Sequence, residues 1–220
     1  VGSDRDSIEA VTLGEIDMTS VAELQFAPNI KEFYVFNADY LFDDLKDAKA
    51  KLDGEQGDLL KKAADDKNMG VKVAAFFGSS GRIFWNNVRE VNTLADFQGI
   101  KSRAPENPIN IAELEALGCI PTPMAWNELY TGLQQGTVDG LVSSKMPIIQ
   151  QGLIDVLKYA TDTNHSYSIN VILISSAKYN SFSEEQRAAY DKAIAGAAEE
   201  EWKIAMKEEE DSVQKIKEQI

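Results

Sequence analysis

Arg103 is the residue whose type and place most directly suggest chemistry. It ends the apolar-flanked segment Gly99-Ile-Lys-Ser-Arg103, and Ala104-Pro105-Glu106-Asn107-Pro108 then opens a helix. Asn107 is the expected N-cap and Pro108 the first-turn proline. In an open α/β sheet, ligands bind beyond the carboxyl ends of the strands. A guanidinium placed there, close to helix N–H groups, makes a bidentate receptor for a carboxylate. Sequence position alone leaves a second reading open, a surface arginine paired with Glu106 or Asp96.

Trp126 opens a helical stripe, Trp126, Leu129, Tyr130 and Leu133, most of which must be core. Its place at the very start of that helix also suits an aromatic wall against a ligand's apolar face, although core packing is the commoner fate. Arg82 follows the strand-like run Val71 to Phe77 and the polar stretch Gly78-Ser-Ser-Gly81. That stretch has neither the Gly-Lys-Ser/Thr ending of a phosphate loop nor dinucleotide-fingerprint spacing, so it is no nucleotide site.

Scarce residues exclude more. Cys119 is the single cysteine and His165 the single histidine. No intramolecular disulfide, thiolate cluster or His-rich metal site can be built from them. We expect no cofactor and no metal. His165 reads as a hydrogen-bonded residue of a polar turn, Thr163 to Tyr167, without a triad partner.

Thirty-six acids against twenty-two bases give a charge of −14 and a pI near 4.5. Nucleic acid is excluded as a partner, because phosphate binding needs a basic footprint. An anionic membrane would repel this surface, and no apolar run approaches the roughly eighteen residues of a membrane span. The opening Val1-Gly2-Ser3-Asp4-Arg5 has no basic or apolar leader pattern.

The elements that must position these residues alternate between helix and strand. A helix ends near Thr12 and Gly14, and Glu15 to Val21 follows as a strand. Phe33 to Phe36 is a second apolar run. Helical spacing covers Tyr40 to Lys51 and Gly57 to Lys67, and Val71 to Phe77 is a buried strand ending at Gly78, before a turn to Gly81. Next come Gly99 to Arg103 (strand), Pro108 to Leu117 and Trp126 to Gln134 (helices), then Val138 to Val142 and Val171 to Ser175 (strands). Val11 to Asp17 echoes Leu133 to Asp139, each with a helix-ending glycine and an apolar-Asp pair. The echo fits either the common grammar of α/β proteins or two lobes of like construction. Ser183-x-x-Gln186 is a capping box opening a helix of roughly 50 Å. The acid runs Asp43-Asp44 and Glu208 to Asp211 read as solvated faces.

Two long stretches carry a family resemblance. Gly99-Ile-Lys-Ser-Arg-Ala-Pro105, followed by Ala116-Leu-Gly-Cys-Ile-Pro-Thr-Pro-Met-Ala-Trp-Asn-Glu-Leu-Tyr-Thr-Gly-Leu-Gln-Gln-Gly-Thr-Val-Asp-Gly140, resembles the substrate-binding proteins of TRAP transporters (the DctP family). Gly2-Ser-Asp-Arg5, Leu13-Gly-Glu-Ile-Asp17 and Thr161 to Ser175 are similar to other signatures of that family. The resemblance implies an α/β, two-lobed periplasmic-binding-protein-like fold with a ligand cleft between lobes and a long C-terminal lobe-spanning helix. Residues 1–81 would form a first lobe, 82–175 mainly the second with crossings back, and 176–220 the spanning helix. It further implies a periplasmic receptor, not an enzyme, that takes a small carboxylate (sugar acid, keto acid or related organic acid) to TRAP membrane permease subunits. Arg103 falls on the carboxylate-clamping position, Arg82 on a second pocket arginine, Trp126 on a wall aromatic and Ser143 where relatives often carry Asn. Glu23 falls near a polar first-lobe position. Against such relatives the chain looks truncated at both ends, with an opening strand-helix-strand absent. Asp139-Gly-Leu-Val-Ser-Ser144 replaces the family's common Asp-Gly-Gln-Glu-Asn-Pro, which leaves the ligand open. The alternative functions are a small carboxylate-using enzyme, with His165 or a tyrosine as base, and a sensor-coupled ligand-binding module.

Overall fold

The computed structural model describes residues 2–219, so Val1 and Ile220 lie outside the described residues. The chain forms two units, one of residues 1–79 and 168–206, the other of residues 80–167 and 207–220. Each crossing between them falls inside a regular element.

The first unit opens with α1 (Asp4–Leu13), whose Ser3 and Asp6 form a reciprocal capping box. Gly14, at φ 75°, closes the helix in the left-handed conformation that favours glycine. β1 (Met18–Ala22) leads directly into α2 (Glu23–Phe26). The apolar run at Phe33 becomes a 3₁₀ turn, Lys31–Asn37, and not a strand. Its rings Phe33 and Phe36 pack with Phe26 and Phe76. Asp44 caps α3 (Leu45–Leu52), and α4 (Glu55–Lys67) ends at Asn68 with φ 50°.

β2 (Val71–Asn86) departs from the sequence expectation, because it does not stop at Gly78. There is no turn from Gly78 to Gly81. The glycines answer to close neighbours instead. A Cβ on Gly78 would lie 2.2 Å from the Trp202 ring, and Trp202 is fully buried with its indole N–H donated to the Phe76 carbonyl at 3.0 Å.

The second unit takes the rest of β2 and a 3₁₀ turn, Leu94–Phe97, before β3 (Lys101–Ala104) and α5 (Pro108–Ala116). Asn107 caps α5 through the Ile109 N–H at 2.9 Å, with Pro108 in its first turn, as expected. β4 (Ile120–Pro123) follows, then a 3₁₀ turn at Trp126–Glu128 running into α6 (Leu129–Gln134). Gly136 at φ 71° precedes β5 (Gly140–Ser144), which passes straight into α7 (Lys145–Gln150). After a further 3₁₀ turn, Leu153–Val156, β6 (Tyr159–Ser175) returns the chain to the first unit. α8 (Ser176–Ser181) and α9 (Glu184–Gln219) follow, α9 belonging to the first unit as far as Met206 and to the second beyond it. The Ser183–Gln186 capping box forms as predicted, with bonds of 2.9 and 3.2 Å.

The strand order is β1-β6-β2-β5-β3-β4. In the second unit, two apolar clusters cover the two sheet faces. Ile83, Trp85 and Leu141 pack with Leu129, Leu133 and Ile148 on one face. Phe84 and Ala104 pack with Phe97, Ile100 and Leu114 on the other.

Candidate functional site

Parallel pairing sets the frame. Arg103 on β3 lies opposite Thr122 on β4 and Leu141 on β5, and antiparallel β2 places Arg82 opposite Ser144. The carboxyl ends of β3, β4 and β5 therefore share one rim with Arg82. Asp139 fixes the other end of the β3–β5 pair. Its carboxylate accepts the Lys101 N–H at 3.0 Å, and its own N–H donates to the Lys101 carbonyl at 2.7 Å.

At the rim Arg103 is 7% exposed and firmly oriented. Its Nε–H donates to the Met124 carbonyl at 3.0 Å, and its guanidinium carbon stands 5.5 Å from the Trp126 ring centroid. A cation over an indole face is attracted by the ring quadrupole. Trp126 is only half-buried, and its indole N–H donates to Gln151 Oε1 at 2.9 Å from the end of α7. The guanidinium plane is thus set from two sides. Of the acids considered as partners, Asp96 caps its own 3₁₀ turn: the Thr93 hydroxyl, with the Asn92 and Thr93 amides, holds its carboxyl below the usual value.

The other expected residues divide between faces and units. Alternation along the strands puts Ser143, opposite Ile83, on the same sheet face as Arg103 and Leu141. The Ser143 carbonyl accepts the buried Trp85 indole N–H at 3.0 Å. Arg82, 9% exposed, starts from the opposite face at the same rim. Glu23 belongs to the first unit, where it is fully buried at the start of α2 and accepts the Ile169 N–H at 3.3 Å. The structure brings Arg103 and Trp126 into contact, with Ser143 near the end of β5 and Arg82 on β2 opposite Ser144.

Groups suited to bond-making chemistry are differently placed. His165 lies within β6, not in a turn, with Nδ1 2.8 Å from the Thr163 hydroxyl and Nε2 3.7 Å from Glu113. Burial pushes the Cys119 thiol up to about 11, the wrong direction for a nucleophile. The Tyr190 phenol is likewise pushed up, to about 12, chiefly by burial. Among the described residues no helix is long and apolar enough to cross a membrane.

Sequence reasoning missed Met124, Gln151, Trp85, Lys145 and Glu209. The first acts through its backbone carbonyl, which no side-chain pattern encodes. Glu209 was hidden in an acid run that reads as solvated, yet its carboxylate pairs with Lys145 at 2.6 Å.

The family described as "Bacterial extracellular solute-binding protein, family 7" (DctP) matches residues 1–220. The 2,3-diketo-L-gulonate-binding periplasmic protein of Escherichia coli is 32% identical over 200 residues, 91% of this chain and 59% of that protein. Two solved structures are also similar. A TRAP periplasmic solute-binding protein from Bordetella, with density described as pantoate, has a TM-score of 0.92 and 33% identity, covering 99% of this chain and 72% of that one. The sugar-acid-binding protein of Advenella mimigardefordensis, in complex with galactonate, has a TM-score of 0.93 and 29% identity, covering 99% and 69%. The chain spans about three fifths of the length of the curated relatives it matches.

Proposed function

Because the chain belongs to family 7 of the bacterial extracellular solute-binding proteins, the TRAP group, we propose that it is part of a periplasmic receptor for a small organic acid, held at the second-unit rim by Arg103. One observation carries this reading. The Arg103 guanidinium is nearly buried, stacked on Trp126 and anchored through Nε to Met124, at the carboxyl ends of parallel strands. Arginine offers a carboxylate two parallel N–H donors, which a lysine ammonium does not. Trp126 would cover the ligand's apolar face, while Ser143 and Arg82 would supply further polar contacts. The sugar acid bound by the Advenella protein and the keto acid in the Escherichia coli protein's name support this ligand class. Delivery to TRAP permease subunits is the corresponding role, and the bound acid would leave chemically unchanged.

A thermal-shift screen of galactonate, 2,3-diketogulonate, pantoate, dicarboxylates and aromatic acids tests the reading. A true ligand at a hundredfold over Kd should stabilise by about 2.7 kcal/mol. Arg103→Ala should then lose about 2–5 kcal/mol of binding, roughly thirtyfold to several-thousandfold in Kd, and Arg103→Lys much of that. Both variants should keep a near-native melting temperature without ligand. Near-equal Kd values for wild type and Arg103→Lys would remove Arg103 from the site, and turnover of a bound acid would replace the receptor reading by an enzymatic one.

A further inference from the structure

Two strands at the acid-binding rim are held by one carboxylate that comes from far along the chain. Glu209, on the part of α9 that belongs to the second unit, accepts the Gly81 N–H at 3.0 Å through one oxygen. Its other oxygen takes the Lys145 ammonium at 2.6 Å. Gly81 directly precedes Arg82 on β2, and Lys145 follows Ser143 and Ser144 at the end of β5. The register pairs Arg82 with Ser144, so the carboxylate meets both strands just beyond the pair that bears the candidate ligand residues.

The surroundings are built for this contact. The Lys145 side chain is 4% exposed and that of Glu209 23%. A buried ammonium without a counter-charge is strongly unfavourable, so the Lys145 position depends on Glu209. Room at position 81 is also reserved: a Cβ there would fall 2.3 Å from Asn164 Oδ1 and 3.3 Å from both Glu209 Oε1 and Lys145 Nζ. Beside it, the Ser80 hydroxyl accepts the Met146 N–H at 3.2 Å, a second tie between β2 and the start of α7.

We propose that Glu209 and Lys145 are positioning residues for the acid-binding rim: their pair fixes the Gly81–Arg82 and Ser143–Lys145 backbone and thereby sets where Arg82 and Ser143 meet the ligand. This rests on the rim being the ligand site. Neither residue touches the ligand. By pairing with Lys145, Glu209 also neutralises that cation.

The test uses Lys145→Met/Glu209→Gln, which removes both charges together and strands neither. Glu209→Gln alone keeps an acceptor for the Gly81 N–H, and Lys145→Arg keeps the ion pair. Backbone hydrogen exchange without ligand should speed up at residues 81–83 and 143–146 in the double variant, with little change along β3. Calorimetry with the acid that stabilises the wild type should show Kd weakened by about tenfold, with Lys145→Arg near wild type. A lower melting temperature with unchanged Kd and unchanged exchange at those segments would overturn the proposal and leave a merely structural pair. Should no acid in the screen bind the wild type, the receptor reading fails; exchange then decides the backbone role, faster exchange supporting it and unchanged exchange overturning it.

Discussion

Glu23 and Lys145 stand at the same step of two stretches of chain that are built alike, and one is an acid where the other is a base. In one stretch α1 ends at Gly14, Asp17 follows, β1 spans Met18–Ala22 and Glu23 begins α2. In the other α6 is followed by Gly136 and Asp139, β5 spans Gly140–Ser144 and Lys145 begins α7. Both glycines are left-handed, at φ 75° and 71°. Counting from each glycine, aspartate, strand and buried charge fall at the same offsets. The internal echo is thus a shared supersecondary unit.

Tertiary surroundings separate the two. β1 pairs with β6 and lies at the edge of the sheet, so its first three residues are exposed or half-buried. β5 has β2 on one side and β3 on the other, and four of its five residues are buried. The buried charges follow suit. Glu23 is an acid at the start of a helix, where free N–H groups favour negative charge, and it accepts a backbone N–H. Lys145 is a base in the same position, opposed by those N–H groups, and so requires the Glu209 carboxylate. Local sequence sets the turn and the strand start; the neighbours set burial and the partner that a charge needs. The interior copy is also the one beside Arg103.

The harshest way to break the comparison is to write the first unit's charge into the second. Lys145→Glu would set two carboxylates against each other in a largely buried place. We expect a loss of about 3–5 kcal/mol in urea unfolding, with Glu209→Lys in the same chain recovering a large part. A Lys145→Glu protein as stable as wild type would mean that Lys145 does not depend on the Glu209 carboxylate.

Replacing each glycine sharpens what is shared. Gly14→Ala and Gly136→Ala force a Cβ into the left-handed region, which costs about 1–2 kcal/mol. Position 136 has open space, and at position 14 the nearest atom is Ser175 Oγ at 3.4 Å, so neither site adds a clash. Chemical denaturation should therefore give losses within about 0.5 kcal/mol of each other, a spread typical of independent sites. A large inequality would show that one glycine serves a tertiary purpose.

Features that rest on local chemistry were legible in the sequence: the Gly14 stop, the Asn107–Pro108 helix start, the Ser183 capping box and Arg103 at a strand end. Features whose cause lies elsewhere in the chain were not. Gly78 and Gly81 looked like a turn, because the sequence gives no sign that Trp202 lies over one and that Asn164, Lys145 and Glu209 crowd the other. β4, Ile-Pro-Thr-Pro, reads against a strand, and its prolines are tolerated because it is the edge strand beside β3. At the site, Arg103 and Trp126 could be picked out from their places at element ends. The groups that orient them, the Met124 carbonyl and Gln151, carry no pattern of their own. Glu209 sits among acids of identical appearance, and only its seat beside Lys145 and Gly81 sets it apart.

The smallest expected effect compares the two aspartates. Asp17 forms an exposed pair with Lys178 at 3.0 Å, its side chain 62% and that of Lys178 40% exposed. Such pairs contribute about 0–1 kcal/mol, and salt screens them further. Asp17→Ala should change stability by less than about 1 kcal/mol, and the change should shrink as salt is added. Asp139 is tied more tightly, since its carboxylate accepts the Lys101 N–H and its side chain is 21% exposed. Removing that acceptor leaves a strand-end N–H without its partner, at a cost of about 1 kcal/mol or somewhat more. Asp139→Asn keeps a side-chain oxygen in place and should recover most of the difference, whatever the salt concentration. The consequence reaches the rim, because Lys101 begins the strand that carries Arg103. Asp139→Ala should weaken acid binding measurably while Asp17→Ala leaves it unchanged. If the two alanine variants lose equal stability and neither alters binding, the aspartates are interchangeable parts of the shared turn, and the difference between the copies begins only at their strands.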